Sequence, residues 1–297
     1  MTYEGIIARS VYYNRHNLDQ KVMDLLTVIL ITYNHKHTFK KAIESVLAQK
    51  TDFGFQVYVL DDCSSDGTSE IVRKYARKYP QKIKAFIRKE NIGLVENIFS
   101  GIQAVKTKYF AFLESDDYWC DQAKLQLQVD SLEKNPNCSY CGHNTAIYAN
   151  GKKLTLLDGR LSLIEERPKS FRSKYSMPSK FCPHTSSRVF RTSVIDFEKL
   201  KDKKSIVYDY CLHWYFLSKG QLFYINKVMS VYNLSDASSF ATKSAIDRAK
   251  IAFGNVLCIN RELSYKWFLV FGGEIIRLAT NWFKGMKKNA SGEFYKN

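Results

Sequence analysis

LLTVILITYNHKHTFKKAIESVLAQKTDFGFQVYVLDDCSSDGTSEIVRKYARKYP, residues 25–80, carries two strand-then-helix units in succession. LLTVILI (25–31) is a short continuous apolar run, the pattern of a strand buried on both faces. Behind it Phe39, Ile43 and Leu47 recur at i, i+4 and i+8, the core stripe of a helix. QVYVL (56–60) repeats the strand signal. The helix after it has Asp66 or Thr68 near its start, an Ile71/Val72/Tyr75/Tyr79 stripe, basic residues in its last turn and Pro80 as a stop. The rhythm continues through KIKAFI (82–87), a helix from about Leu94 to Val105, YFAFL (109–113), and a helix from about Asp121 to Glu133 that ends before Pro136. Four β-α units in a row predict an α/β fold, a mostly parallel sheet with helices on both faces. Ligands bind such sheets at the carboxyl ends of the strands.

After Pro136 the pattern changes. Asn150-Gly151 lies between alternating segments and predicts a β-hairpin. Residues 158–185 are polar, basic and irregular; SSRVF (186–190), then LFYIN and VMSVY (222–232), read as strands around a helix near 206–219. From 242 to 297 the chain reads as helical, with Trp267, Phe271, Ile275, Leu278 and Trp282 on one stripe. The expected organisation is an N-terminal extension (1–24), an α/β domain (25–240) with halves 25–135 and 136–240, and a basic amphipathic tail (241–297). No internal repeat interrupts it.

The 297 residues are 45% hydrophobic and 25% charged, which excludes a disordered or low-complexity chain. Lys and Arg number 45 against 29 Asp and Glu, a net charge of +16 that favours an anionic partner. Residues 1–119 hold 17 basic and 14 acidic side chains and residues 120–297 hold 28 and 15, so the excess lies almost wholly in the second part. A nucleic-acid module lacks its signatures: there is no zinc-finger spacing, no RNP-type aromatic motif and no helix-turn-helix pattern. A dinucleotide-binding GxGxxG and a phosphate-binding P-loop are absent too. Seven cysteines in a chain this long point to a reducing compartment. The first 24 residues hold no continuous apolar run, and no stretch reaches the roughly 20 apolar residues of a spanning helix. The expected location is the cytoplasm or the inner face of the cell membrane. Cys138-x2-Cys141-x-His143 with Cys182-x-His184 has zinc-binding residue types at no standard spacing; buried structural cysteines are the competing reading.

Two acidic clusters stand at strand ends: Asp61-Asp62 after QVYVL, and Glu114-Ser115-Asp116-Asp117 after YFAFL. Carboxylates crowded into one crevice raise each other's pKa unless a cation is present. A hard divalent ion with oxygen ligands, Mg²⁺ or Mn²⁺, resolves this. Asp66 has a second reading as a helix cap.

The ordered set Thr27-Val-Ile-Leu-Ile-Thr-Tyr-Asn34, Val59-Leu-Asp-Asp-Cys-Ser-Ser-Asp-Gly-Thr68, Lys89-Glu-Asn-Ile-Gly93 and Glu114-Ser-Asp-Asp-Tyr-Trp119 resembles the nucleotide-sugar-binding half of glycosyltransferase family 2, with its GT-A fold. The resemblance covers about 25–135 well and about 180–235 loosely. It implies an inverting transferase whose donor is a nucleotide sugar, expected to be a uridine diphosphate sugar, and whose acceptor is a surface glycan or lipid-linked glycan. Thr32, Tyr33 and Asp62 would contact base and ribose, since a carboxylate accepts from a pyrimidine N–H or a ribose hydroxyl and the ring packs on the base. Asn91 and Gly93 match the turn that closes on the donor sugar. Asp116 and Asp117, with Glu114 as the longer substitute at the first position, would hold Mn²⁺ or Mg²⁺ on the donor diphosphate. Asp209, opening an apolar helix, matches the general base; His184 matches the acceptor-lining segment.

Each residue also has a plain structural reading: Tyr33 filling a turn, Asn91 and Gly93 making an ordinary β-to-α turn, Asp209 as a first-turn acid, and His184 as a structural histidine. Two departures stand out, Glu114 for the usual Asp, and Asn233 where the family carries a basic residue or His. Arg188, Arg191, Lys180 and Lys227 are the candidates to replace that second charge. A non-catalytic relative that only binds nucleotide sugar or glycan is the rival reading. For the tail, packing on the domain competes with insertion of Trp267, Phe268, Phe271 and Trp282 into an anionic membrane surface, with Lys266, Arg277, Lys284, Lys287 and Lys288 at the headgroups.

Overall fold

The computed structural model describes residues 24–149, 152–156, 168–169, 182–198 and 209–234. The expectations for the N-terminal extension, for Lys180 and for the amphipathic tail lie outside the described residues.

The first half forms as its pattern predicts: β1 (Asp24–Thr32), α1 (Phe39–Leu47), β2 (Gly54–Asp61), α2 (Thr68–Lys78), β3 (Ile83–Ile87), α3 (Leu94–Ala104), β4 (Tyr109–Glu114), the short β5 (Tyr118–Trp119) and α4 (Lys124–Lys134). Then come β6 (Cys138–Ala149), β7 (Lys152–Leu156), β8 (Pro168–Lys169), β9 (Val189–Arg191), α5 (Asp209–Lys219) and β10 (Gln221–Leu234). The strands make one sheet in the order β3-β2-β1-β4-β9-β6-β10-β5, with β7 beside β6 and β8 beside β10. β3, β2, β1 and β4 run parallel, and β6 and β10 also pair in parallel; β9 enters antiparallel between β4 and β6.

Because successive strand residues point to opposite faces, β1 feeds two cores at once. Ile29 and Ile31 pack with Ile98, Phe99 and Ile102 of α3 and with Leu212 and Phe216 of α5. Leu26, Val28 and Leu30 pack on the other face with Phe39, Ile43 and Val46 of α1, Val72 of α2, and Leu125, Val129 and Leu132 of α4. Helices therefore cover both faces. Within α1 the buried side is Phe39, Ala42, Ile43 and Val46, and Leu47 at its end is only partly buried.

Three expectations change. The helix expected from Asp121 begins at Lys124, because Asp121 Oδ1 accepts a hydrogen bond from Ala123 N at 2.8 Å and holds those residues in a preceding turn. In SSRVF, Ser186 and Ser187 belong to a 3₁₀ turn (Thr185–Ser187), and the strand starts at Val189. LFYIN and VMSVY are one strand, β10, whose pairing to β6 shifts register between Ile225 and Val228 and again between Val228 and Ser230. An inserted irregularity bends such a strand without ending it. β6 and β7 pair antiparallel with Ala149 opposite Lys152, as the hairpin signal predicts.

Candidate functional site

The register brings the predicted residues to one edge. Thr32 lies opposite Asp61, Ile31 opposite both Leu60 and Glu114, and Asp61 opposite Ile87, so β1, β2, β3 and β4 end level. The loops leaving them enclose a cleft of about 780 Å³. Thr32, Tyr33, Asp62, Asn91, Gly93, Glu114 and Asp116 all line it. Asn233, from the far end of the chain, lines it as well.

Local chemistry sets each loop. Asn34 (φ 55°) and Cys63 (φ 63°) adopt left-handed backbone, which Asn tolerates through local hydrogen bonds. Asn34 Oδ1 accepts from Ser65 N at 2.8 Å, Asn34 N donates to Ser64 Oγ at 2.9 Å, and His35 N donates to Thr68 Oγ1 at 3.0 Å. The loop after β1 is thereby fastened to the loop after β2. Asp66 takes part from just ahead of α2, accepting from Lys36 N and Thr68 N at 2.9 Å each. Burial raises its carboxyl, but the hydrogen bonds from the Thr68 hydroxyl and from these amides outweigh it and hold the pKa below the usual value. The N-cap of α2 is Gly67 (φ 99°), which makes no side-chain cap; Asp66, one residue earlier, ties the first residue of the helix to the loop after β1.

The paired carboxylates divide their work. Asp61 is fully buried and holds its own loop, accepting from Ser64 N at 3.2 Å, from Ser64 Oγ and from Ser69 Oγ. Asp62 faces the cleft and takes one amide on each oxygen, Ile92 N on Oδ1 and Gly93 N on Oδ2, both at 2.9 Å. Gly93 has φ 84°, a conformation other residues rarely adopt, and its N–H also meets Asn91 Oδ1 at 3.0 Å. Sequence reasoning missed Asn97, fully buried on α3, which lines the cleft, donates to Leu60 O at 3.2 Å and accepts from Arg88 Nε at 3.2 Å. Its signal was a polar residue within an otherwise apolar helical stripe.

In the second acidic cluster Asp117 N donates to Glu114 O at 3.0 Å, closing a turn, and Ser115 Oγ shares a 2.8 Å hydrogen bond with His35 Nδ1. Two buried atoms at the cleft have no hydrogen-bond partner, Thr32 Oγ1 and Asp116 Oδ1. Buried polar atoms are nearly always paired, so two orphans facing one cleft mark a ligand position. Asp117 is turned inward: Oδ1 accepts from Asn233 N at 3.0 Å, and Oδ2 lies 3.6 Å from His184 Nδ1. Asp117 also lines a cavity next to Asp116. Among the described residues no three His, Cys, Asp or Glu side chains converge on a metal position. Glu114, Asp116 and Asp117 line this cleft or the cavity beside it, and Mg²⁺ is commonly held by one or two carboxylates together with substrate phosphates.

A smaller cavity of about 210 Å³ adjoins the cleft, sharing Thr38, Asp116 and Asn233 with it and closed by Lys41, Asp117, Tyr118 and Tyr148. His184 lines neither cavity; its Nδ1 is 2.7 Å from Ser186 Oγ and its ring centroid 4.6 Å from that of Tyr232, so it sits behind Asp117. None of the described candidates for the missing charge reaches the cleft. Arg188 is buried on Pro183 O, Arg191 binds Cys138 O and Leu132 O, and Lys227 pairs with Asp121 at 2.6 Å. Asp209 is the first residue of α5; its side chain lies outside what is described.

Beneath the site, Lys124 is completely buried, its Nζ 2.7 Å from Gln128 Oε1 and 4.1 Å from the Trp119 ring centroid. Burial pushes its pKa down to about 7. Gln128 Nε2 donates to Ser187 O at 2.8 Å and Trp119 Nε1 to Ser186 O at 2.8 Å, which seats the turn below Asp117. Among the described residues no two cysteines form a disulfide, and burial pushes Cys141 up to about 12, so it stays a thiol.

The sequence profile described as Glycosyl transferase family 2 matches residues 27–197, more than half of the chain. An uncharacterized Mycobacterium tuberculosis protein is 36% identical over 129 residues, 43% of this chain and 37% of that protein. TuaG of Bacillus subtilis, named as a candidate teichuronic acid biosynthesis glycosyltransferase, is 31% identical over 121 residues, 40% of this chain and 47% of its own. A Mycoplasma pneumoniae protein named as an uncharacterized glycosyltransferase is 29% identical over 222 residues, 71% of this chain and 65% of its own. The chain covers less than two thirds of the length of each. Among solved structures, the mannosyltransferase PcManGT from Pyrobaculum calidifontis with GDP-Man and Mn²⁺ superposes with a TM-score of 0.62 at 15% identity, covering 98% of this chain and 85% of that one. S. aureus TarS with UDP-GlcNAc gives 0.57 at 18%, covering 88% and 79%. The shared architecture is the GT-A fold that the motif order predicted. Among the described residues no helix is long and apolar enough to cross a membrane.

Proposed function

The chain belongs to glycosyl transferase family 2, and from that membership we propose that it moves a sugar from a nucleoside diphosphate donor, a uridine diphosphate sugar, to a hydroxyl of a surface-glycan acceptor with inversion. The observation that carries the reading is the pair of unpartnered buried atoms, Thr32 Oγ1 and Asp116 Oδ1, on a cleft at the carboxyl edge of a parallel sheet. In this reading residues 25–135 hold the donor and 136–240 the acceptor.

Thr32, Tyr33 and Asp62 bind the nucleoside: Tyr33, 47% exposed at the rim, packs on the base, and Asp62 retains lone pairs for ribose hydroxyls beyond its two amide bonds. The turn Asn91–Gly93, held by Asp62, closes on the donor sugar. Asp116 would hold the divalent ion, with Asp117 and Glu114 beside it. Mn²⁺ or Mg²⁺ held there would supply positive charge against the departing diphosphate. Asp209 takes the proton from the acceptor hydroxyl as its oxygen attacks the anomeric carbon from the face opposite the leaving group. His184 orients the acceptor side from behind Asp117. The names of TuaG and TarS's bound UDP-GlcNAc support a surface-glycan pathway and a uridine donor; the basic second part of the chain supports an anionic lipid-linked acceptor at an anionic membrane surface.

The deciding experiment is thermal shift with a panel of nucleotide sugars and Mn²⁺, followed by transfer assays. Binding at a hundredfold excess over Kd adds about 2.7 kcal/mol of stability. No stabilisation by any uridine or guanosine diphosphate sugar ends the donor reading. Stabilisation without turnover on any glycan acceptor establishes the non-catalytic relative instead.

A further inference from the structure

The large cleft has an unbalanced wall. Among the described residues its ionisable lining is Asp62, Glu114 and Asp116 with Tyr33 and two imidazoles, His35 and His37, and no Lys or Arg. A nucleoside diphosphate laid against three carboxylates needs a cation near its anionic end. Among the described residues that line either cavity, Lys41 in the smaller one is the single Lys or Arg.

Resting on the nucleotide-donor reading above, we propose that this smaller cavity, across Asp116 from the cleft, is the subsite for the donor's terminal phosphoryl group, with Lys41 as its cation.

Three features converge there. Lys41 is held by the Tyr118 ring, whose centroid lies 3.4 Å from Nζ, and it shares the cavity with Asp116 and Asp117, so a phosphoryl group there would be met by the ammonium together with an ion held at Asp116. It stands in the first turn of α1, which contains no acidic residue and whose N-cap Thr38 makes no side-chain cap; the helix's positive end therefore adds to the ammonium. Thr38 and Asn233 line both cavities, so a diphosphate can span the boundary with its nucleoside in the cleft. The volume of about 210 Å³ equals roughly seven waters' share of liquid, enough for a phosphoryl group. On transfer the acceptor oxygen bonds to the anomeric carbon as the bond from that carbon to the phosphoryl oxygen breaks, its electron pair stays on the phosphoryl oxygen, and Lys41 faces the charge. Asn233 lies where a basic side chain would do the same, so the charge is relocated to α1.

The test is calorimetric titration of the full chain with uridine, UMP and UDP, and in parallel guanosine, GMP and GDP, each without metal and with Mn²⁺. Lys41 is exposed, so Lys41→Gln should fold normally, checked by its melting temperature. We expect Lys41→Gln to leave nucleoside affinity unchanged and to lose about tenfold of the gain from mono- to diphosphate. Asn233→Lys in that background should recover it. An intact mono-to-diphosphate gain in Lys41→Gln overturns the subsite while leaving the donor reading standing. Failure of the wild type to bind either nucleoside diphosphate overturns both.

Discussion

Gly93 N lies 2.9 Å from Asp62 Oδ2, while Ile92 N lies 2.9 Å from Asp62 Oδ1, so one carboxylate at the end of β2 shapes the loop that enters α3. Asp62→Asn offers one acceptor and one donor to two N–H groups, leaving one amide facing another. The expected cost is about 1–3 kcal/mol of stability, read as a lowered urea midpoint, together with weaker nucleotide binding. A variant as stable as wild type would show that the loop is held by other contacts.

Asp116→Asn should separate folding from ligand binding. Asp116 Oδ1 has no partner, so replacing the charge costs the fold nothing, and the melting temperature without ligand should hold or rise. The extra stabilisation that Mn²⁺ gives with UDP should disappear. If Mn²⁺ and UDP still stabilise the variant together as in wild type, Asp116 does not carry the ion.

Asp209 opens α5. As the proposed general base, Asp209→Asn should cut transfer by roughly 10²–10⁴-fold while leaving donor binding intact. Single-turnover transfer alongside UDP titration reads both; transfer at the wild-type rate assigns the base elsewhere.

Lys124 makes stability depend on pH. Burial holds its folded pKa at about 7 against 10.5 when exposed, so between these values the unfolded chain binds the extra proton. The burial cost is therefore fully present below about pH 7 and is relieved as pH rises toward 10.5. Comparing wild type with Lys124→Met removes the contributions of other groups. Relative to the variant, wild type should gain on the order of a few kcal/mol between pH 6.5 and 10. A flat difference would falsify a neutral Lys124 at high pH.

The zinc-type residues show where sequence reading stops: Cys138, Cys141 and His143 are buried in the sheet region, and among the described residues no three ligating side chains meet. Asn97 was illegible for a related reason. Its neighbours Ile98, Phe99 and Ile102 announce a buried helix face, but only the fold puts Leu60 O and Arg88 within reach of its amide.

The order of strands and helices in the first half, and the gathering of Thr32, Tyr33, Asp62, Asn91, Gly93, Glu114 and Asp116 at one edge, were determined by the sequence alone. Both follow from local rules: apolar runs mark the strands, turn residues mark their ends, and parallel pairing sets those ends level. Which member of each acidic pair lines the large cleft was decided only by the tertiary structure. Asp61 and Asp62, like Asp116 and Asp117, are neighbours whose side chains go different ways, and sequence assigns them equal promise. Asp61 is taken up by Ser64 and Ser69, and Asp117 by Asn233, 116 residues distant. Asp62 and Asp116 face the cleft because the partners that claim their neighbours are brought in by the fold.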